Sequence, residues 1–309
     1  MCNYLVTGAA GFIGAALAKK LLQEGHQVVS IDNLSTGAKE NIPEGVQFFE
    51  AECQDPAVYG RIPQDCYDAI FHIAGQSSGE ISFDNPTYDL ATNTGSTLRL
   101  LKFGLKNGCH RFIYASTMSV YGIKPDEPVT EASLPEPESF YGVGKLATEQ
   151  YLRIYEQYGI RSTSLRLFNV YGPGQNMANL RQGMVSIFMA QMLENGHIHV
   201  KGSKDRYRDF VFIDDVVDGF MACLTCPEAH GKILNIATGV KTTVEELINV
   251  MTALYSGKIT CEYSGSTSGD VHGLYADISM AKKILDYSPT MDLRTGISKM
   301  LKWATDSVK

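Results

Sequence analysis

Three glycines at three-residue spacing, Gly8, Gly11 and Gly14 in NYLVTGAAGFIGAALAKKLL, constrain this chain more than any other feature. Asn3 to Thr7 form a short apolar run of strand type before them, and Phe12, Ile13, Ala16, Leu17 and Leu21 recur at helical spacing after them. The pattern predicts a strand, a tight turn and a helix. One glycine permits the turn, one lets backbone N–H groups approach a phosphate, and one lets helix and strand pack closely. A dinucleotide pyrophosphate is therefore expected at the helix N-terminus, between Gly8 and Gly14 with Phe12 and Ile13 beside it. Small residues also crowd strand–helix junctions that hold no ligand, so a second signal is needed.

That signal stands eighteen residues after Gly14. Gln27 to Ile31 are apolar enough for a buried strand, and the strand ends on Asp32, followed by Asn33, Leu34, Ser35, Thr36 and Gly37. A carboxylate there accepts hydrogen bonds from the adenosine ribose hydroxyls and repels a 2'-phosphate, which favours NAD over NADP. The plainer reading is that Asp32 only begins a turn, as Asp-Asn often does.

With 309 residues, 44% hydrophobic and 20% charged, the chain is long enough for one large domain or two intimate ones. A formal charge of -7 argues against a general polyanion surface, so neither nucleic acid nor anionic membrane is an expected partner. Seven scattered cysteines suit a reducing compartment. Cys223 and Cys226 form a C-x-x-C pair, but with no second pair or histidine cluster they read as packing residues, and no metal is expected. The apolar N-terminus lacks a basic region before it and no run reaches membrane-spanning length, so a cytoplasmic protein is expected.

Val46 to Glu50, Ala69 to Ile73, Arg111 to Ala115 and Ser162 to Phe168 read as strands, and Thr94 to Lys106 and Leu146 to Tyr158 as helices between them. This alternation predicts an α/β fold, a Rossmann-type doubly wound parallel sheet. Past Phe168 comes a Gly/Pro/Asn-rich loop, NVYGPGQNMAN, then a helix near Val185 to Leu193. Residues 1–168 are expected to form the NAD-binding domain, with segments near 210–240 returning to it. Residues 169–309 would mainly form a smaller α/β substrate-binding domain.

Tyr141 and Lys145, four apart in FYGVGKLATEQYL, fall on one face of a predicted helix. A free tyrosine has a pKa near 10, and bringing it to about 7 requires roughly 4 kcal/mol, which a neighbouring ammonium and an oxidised nicotinamide could jointly supply. Tyr141 could then act as a general base. A Tyr–Lys pair at helical spacing is also common on surfaces, but the strand RFIYAS runs into Thr117 about two dozen residues upstream. Its carboxyl end would offer a hydroxyl into the crevice where parallel sheets bind ligands.

On these motifs the chain resembles the extended short-chain dehydrogenase/reductase family. Within it the likeness is to nucleotide-sugar epimerases and dehydratases, most closely the UDP-glucose 4-epimerase-like members. The likeness rests on the glycine triplet, DNLSTG from Asp32, HIAG from His72, NP at Asn85, TNTGSTLRLL from Thr92, STMSVYG from Ser116, YGVGK from Tyr141, LRLFNVYGP from Leu165 and RDFVFIDDVV from Arg208. It implies that Thr117 and Tyr141 contact the sugar 4-hydroxyl and that Lys145 holds the nicotinamide ribose. It also implies cofactor contacts at Glu52 and Cys53 near adenine, and at Ala74, Gly75, Asn93 and Phe168. Asn169 and Arg208 match diphosphate-binding positions, and Leu274 a position that influences which sugar is admitted. Other readings stand beside these: Asn169 as a loop cap, Arg208 paired with Asp205 or Asp209, Leu274 as packing, His72 as a strand-end residue rather than an acid or base.

Dehydratases of the family carry an Asp-Glu pair directly after the hydroxyl residue, where this chain has Met118 and Ser119. Neither moves a proton at neutral pH, so 4,6-dehydration is disfavoured. The leading expectation is an enzyme that epimerises a nucleoside-diphosphate sugar at C4 with tightly bound NAD, through a transient 4-keto sugar. A reductase of 4-keto nucleotide sugars using NAD(P)H is the alternative, and a dinucleotide sensor without chemistry the more distant one. Thr267 stands where related epimerases have a diphosphate-binding arginine, and Arg181 is a candidate replacement. A homodimer is expected from pairing of the two helices, which an apolar outer face including Leu152 and Tyr155 would suit, though core packing explains the same pattern.

Overall fold

The computed structural model describes residues 1–266 and 271–307. Strand β1 (Asn3–Thr7) runs into the glycine turn and helix α1 (Phe12–Gln23), then β2 (Gln27–Asp32), β3 (Gln47–Glu50) and β4 (Ala69–His72). Short helices α2 (Gly79–Ser82) and α3 (Pro86–Leu90) lead through a wide π-type turn, Ala91–Gly95, into α4 (Ser96–Lys106). Then come β5 (Arg111–Thr117), α5 (Phe140–Tyr155) and β6 (Arg161–Leu167). The helix expected from Thr94 thus begins earlier, and the wide turn swings Thr92, Asn93 and Thr94 inward, where all three are buried.

The Gly/Pro/Asn-rich segment expected as loop contains a three-residue strand, β7 (Asn169–Tyr171). It is followed by α6 (Met184–Asn195), β8 (His197–Lys201), β9 (Tyr207–Arg208), β10 (Phe210–Phe212) and α7 (Ile213–Thr225). The chain closes with β11 (Lys232–Ile236), β12 (Thr242–Thr243), α8 (Val244–Leu254), β13 (Thr260–Ser264), α9 (Ser279–Leu285) and α10 (Leu293–Ser307).

Seven parallel strands form the main sheet in the order β11-β6-β5-β4-β1-β2-β3, a Rossmann-type doubly wound arrangement. Strand order reverses between β1 and β4, where Thr7 pairs in register with His72, and such a reversal opens a crevice at the strands' carboxyl ends. Thr117 ends β5 and pairs with Leu167 of β6, so the carboxyl ends of β1, β4, β5 and β6 lie along one rim. Smaller two-stranded pairs, β10 with β7, β12 with β9 and β13 with β8, carry the C-terminal half above that rim. One apolar cluster runs from Leu17 and Leu21 of α1 through Phe220 of α7 to Met251 of α8 and Met300 of α10. No helix among the described residues is long and apolar enough to cross a membrane.

Two sequence expectations are corrected here. Leu152 is 1% exposed and packs in the cluster beneath the sheet with Phe103 and Phe112, while Tyr155 is partly buried against the same cluster. Both belong to the inner side of α5. Its outer face instead presents Phe140, Val143, Tyr151 and Ile154, continuing to Tyr158.

Candidate active site

Gly8 leaves β1 with φ +85°, and a Cβ there would stand 2.9 Å from the Ala74 nitrogen, so the turns after β1 and β4 touch. A Cβ on Gly14 would collide with the Gly8 carbonyl oxygen and lie 3.0 Å from the Ala9 nitrogen. Only glycine closes this turn. No side chain caps α1 at Gly11, which leaves amides of its first turn to face a ligand, the arrangement a pyrophosphate requires.

The turn opens onto a cavity of about 190 Å³ whose walls include Gly8, Gly11, Phe12, Ile13, Gly14, Asp32, Asn33, Ser35, Thr36, Glu52, Cys53, Ala74 and Gly75. Asp32 does two things there. Its Oδ2 accepts from the Ala10 amide at 3.0 Å and its Oδ1 from the Leu34 amide at 2.8 Å, bracing both turns, while the residue also forms part of the wall. Gly37 stands outside the wall: a Cβ on it would sit 2.5 Å from the Ala10 carbonyl, so it lets the following loop lie on the glycine turn. Asn93 is likewise behind the wall, fully buried, with its Nδ2 donating to the Gln76 carbonyl at 2.9 Å.

A second cavity of about 240 Å³ adjoins the first and shares Phe12, Ile13, Ile73, Ser77, Gln175 and Gln182 with it. Thr117, Tyr141, Lys145, Phe168 and Asn169 meet in its wall, and so do Met118 and Ser119. Ser139 caps α5 by accepting from the Gly142 amide, which starts the helix just before Tyr141 and points residues 141 and 145 into the crevice. The Lys145 ammonium donates to the Ala115 carbonyl at 2.9 Å and lies 4.8 Å from the Tyr114 ring and 5.7 Å from the Tyr141 ring.

Burial lowers the Lys145 pKa to about 8, against the opposing fields of Asp89 and Glu149. Burial pushes the Tyr141 phenol up to about 12, with Thr117 opposing through a hydrogen bond and Asp89 reinforcing. Glu149, one turn past Lys145, is held by Arg166 at 2.7 and 3.0 Å and accepts from Ser116 at 2.6 Å. His72 is no acid or base here. Burial first, then Lys145, lowers its pKa to about 3. Thr7 Oγ1 accepts from the Ile73 and Ala74 amides and so donates to His72 Nδ1, leaving Nε2–H to donate to Ser96 Oγ at 3.1 Å.

The expected substrate positions fare unevenly. Asn169 is in the wall, and its Oδ1 is buried with no protein partner among the described residues. Arg208 is 2% exposed, lies in neither wall, and donates to the carbonyls of Tyr207, Val271 and His272. Asp209 is not its counter-ion, because that carboxylate accepts from the Thr238, Gly239 and Ala276 amides. Leu274 is also in neither wall, and it packs with Phe168, Tyr121 and Ala276, as a packing residue does. Thr267, Gly269 and Asp270 lie outside the described residues. Arg181 pairs with Glu80 at 3.2 Å and Asp84 at 2.6 Å and lies in neither wall.

Gln76, Thr92, Gln175, Asn179 and Gln182 are wall residues that sequence reasoning missed. They come from loops that meet only once the sheet is built. Gln175 and Asn179 could have been suspected from the polar segment after NVYGPG. Cys223 and Cys226 are free thiols, bonded to the Gly219 and Ile284 carbonyls, and no group of three metal-binding side chains occurs among the described residues.

A glycine-turn crevice with an acidic strand end, opening beside a buried tyrosine and lysine, defines a protein of short-chain dehydrogenase/reductase type. Residues 4–237 match the NAD dependent epimerase/dehydratase family, and the chain belongs to that family, whose cofactor is NAD. It is 34% identical over 306 residues to a UDP-glucose 4-epimerase of Mycolicibacterium smegmatis, covering 97% of each chain. A dTDP-4-dehydro-6-deoxyglucose reductase of Escherichia coli is 30% identical with 96% of each chain covered. Among solved structures, UDP-glucose 4-epimerase of Thermotoga maritima with UDP-glucose superposes with a TM-score of 0.95 at 34% identity, over 99% of this chain and all of that one.

Proposed function

We propose that this chain is an NAD-dependent 4-epimerase of a nucleoside-diphosphate sugar. The observation that carries this reading is the meeting of Thr117, Tyr141 and Lys145 in a cavity that shares walls with the cofactor crevice, with Met118 and Ser119 where elimination would need an acid and a base. The amides at the start of α1 hold the pyrophosphate, and Asp32 with the 33–37 loop holds the adenosine ribose. Lys145 holds the nicotinamide ribose, and its charge favours ionisation of Tyr141. Tyr141 takes the proton of the sugar 4-hydroxyl and later returns one, and Thr117 orients that hydroxyl. NAD, when bound, would supply a reversible two-electron acceptor for the hydride from C4. The unpartnered Asn169 Oδ1 marks the cavity side on which a substrate donor is welcome.

A 4-keto nucleotide-sugar reductase uses the same three side chains, and one relative carries that name. Incubating the protein with UDP-, dTDP-, GDP- and CDP-sugars separates the two. An epimerase forms a new epimer, seen by NMR, with catalytic NAD and no net change in reduced-cofactor absorbance. Stoichiometric consumption of NADH or NADPH with a 4-keto sugar, and no epimer, would replace this reading by the reductase. The outer face of α5, from Phe140 through Val143, Tyr151 and Ile154 to Tyr158, supports a homodimer through this helix and α4. Light scattering giving one-chain mass at micromolar concentration rejects it.

A further inference from the structure

Asp89, on α3, is a buried carboxylate that the proposed mechanism does not use. It is 1% exposed and has no ion pair among the described residues. Its Oδ2 accepts from Gln76 Nε2 at 2.7 Å, while its Oδ1 has no hydrogen-bond partner and faces α5, where a Cβ on Gly144 would stand 3.4 Å from it. The next residue along α5 is Lys145.

Charges taken out of water must balance. Glu149 pairs with Arg166, which leaves Lys145 and Asp89 as buried ionisable groups on facing helices; burial disfavours the charged form of each, and the field of each opposes that in the other. From α5 the titratable groups that Asp89 meets are Tyr141 and Lys145, with Glu149 a turn further on, and from β5 it meets Tyr114. The wide turn and the loop after β4 present only the neutral Asn93 and Gln76. With Lys145 and Asp89 both charged the pocket is neutral, and an ionised Tyr141 would make it negative.

Resting on the reading of Tyr141 and Lys145 as the working pair, we propose that Asp89 is the counter-charge of Lys145 and ties Tyr141 protonation to the charge of the cofactor. Its field adds to burial in keeping Tyr141 a neutral phenol until a further positive charge stands beside it, as an oxidised nicotinamide ring would supply and a reduced one would not. The same field opposes the loss of the Lys145 proton that burial favours. Asp89 is a positioning residue, since it acts through Lys145 and Tyr141 and is absent from both cavity walls.

The test is a tyrosinate absorbance titration of the purified protein, with its Tyr141→Phe variant subtracted to isolate Tyr141, in the wild-type chain and in Asp89→Asn and Asp89→Ser. Removing the negative charge should lower the Tyr141 midpoint by about one pH unit. Both limbs of the pH–rate profile should move to lower pH with it, the acid limb through Tyr141 and the alkaline limb through Lys145. Gln76→Met keeps the charge and removes the hydrogen bond, and it should leave the midpoint in place. An unmoved midpoint in either folded Asp89 variant, or an equal shift in Gln76→Met, overturns the proposal. A shifted midpoint in a protein that turns over no nucleotide sugar leaves the charge relation standing and overturns the proposed function instead.

Discussion

The two ends of the crevice are made of different material. Around the glycine turn the shape is set by backbone contacts: Gly8 against Ala74, Gly14 against the Gly8 carbonyl and, behind the wall, Gly37 against Ala10, with Asp32 bracing amides on both sides. Around Tyr141 the walls are side chains drawn from β5, α5 and β7, and the groups that set their charges, Asp89, Glu149 and Arg166, are buried behind them. A backbone turn is fixed by sterics and is indifferent to pH. A side-chain wall can be altered one proton at a time, so under the proposed function the first end is suited to holding a cofactor throughout a cycle and the second to chemistry.

Gly14→Val is expected to break the backbone end outright. Its Cβ has no room beside the Gly8 carbonyl, and the clash is with main chain that cannot rotate away. Loss of NAD affinity by about a thousandfold or more in a fluorescence titration is the expected result, whatever the pH. Binding within a few fold of the original would show that the turn opens freely and that the contrast between the two ends is wrong.

Tyr141→Phe should break only the other end. Turnover of an accepted nucleotide sugar should fall by roughly a hundredfold to ten-thousandfold, the range for removing a general base, while NAD affinity measured on the same protein changes little. An equal fall in cofactor affinity would mean that Tyr141 holds the cofactor rather than moving a proton. Because burial drives the Tyr141 pKa up to about 12, the base must be switched on by nearby positive charge.

The same contrast decides what could be read from sequence. The glycine triplet and Asp32 are local, a strand, turn and strand end within about thirty residues, and backbone sterics leave few other residue choices. Tyr141 and Lys145 are local too, one helical turn apart. Periodicity placed Leu152 and Tyr155 on an apolar face of α5, but a helix between a sheet and a neighbour has two such faces, and spacing does not say which is outward. Leu274 and Arg208 came from motif positions; the described geometry puts one in an apolar cluster and the other among backbone carbonyls, because burial depends on contacts far along the chain. Asp89 was invisible for the same reason: its meaning arises only where α3 crosses α5.

His72 joins the two ends, and its protonation sharpens the comparison by a smaller amount. The neutral ring spans from Thr7 beside the glycine turn to Ser96 at the start of α4, using both nitrogens. Burial followed by Lys145 lowers its folded pKa to about 3, whereas an unfolded histidine titrates near 6.5. A depressed folded pKa contributes stability that is fully present above the unfolded value and is lost as pH falls below it, because the unfolded chain then binds a proton that the folded chain refuses. Between pH 7 and pH 5 this residue alone should cost about 2 kcal/mol of unfolding free energy. Urea melts at the two pH values should therefore show a steeper loss in the wild-type chain than in His72→Gln, which cannot titrate. Buried carboxylates such as Asp89 and Asp209, raised by burial, act in the opposite sense and are common to both proteins, so the difference between the two slopes isolates the ring. Equal slopes would mean that the Thr7–His72–Ser96 chain accepts a proton without rearranging, and that the strand end joining the two walls is softer than its hydrogen bonds suggest.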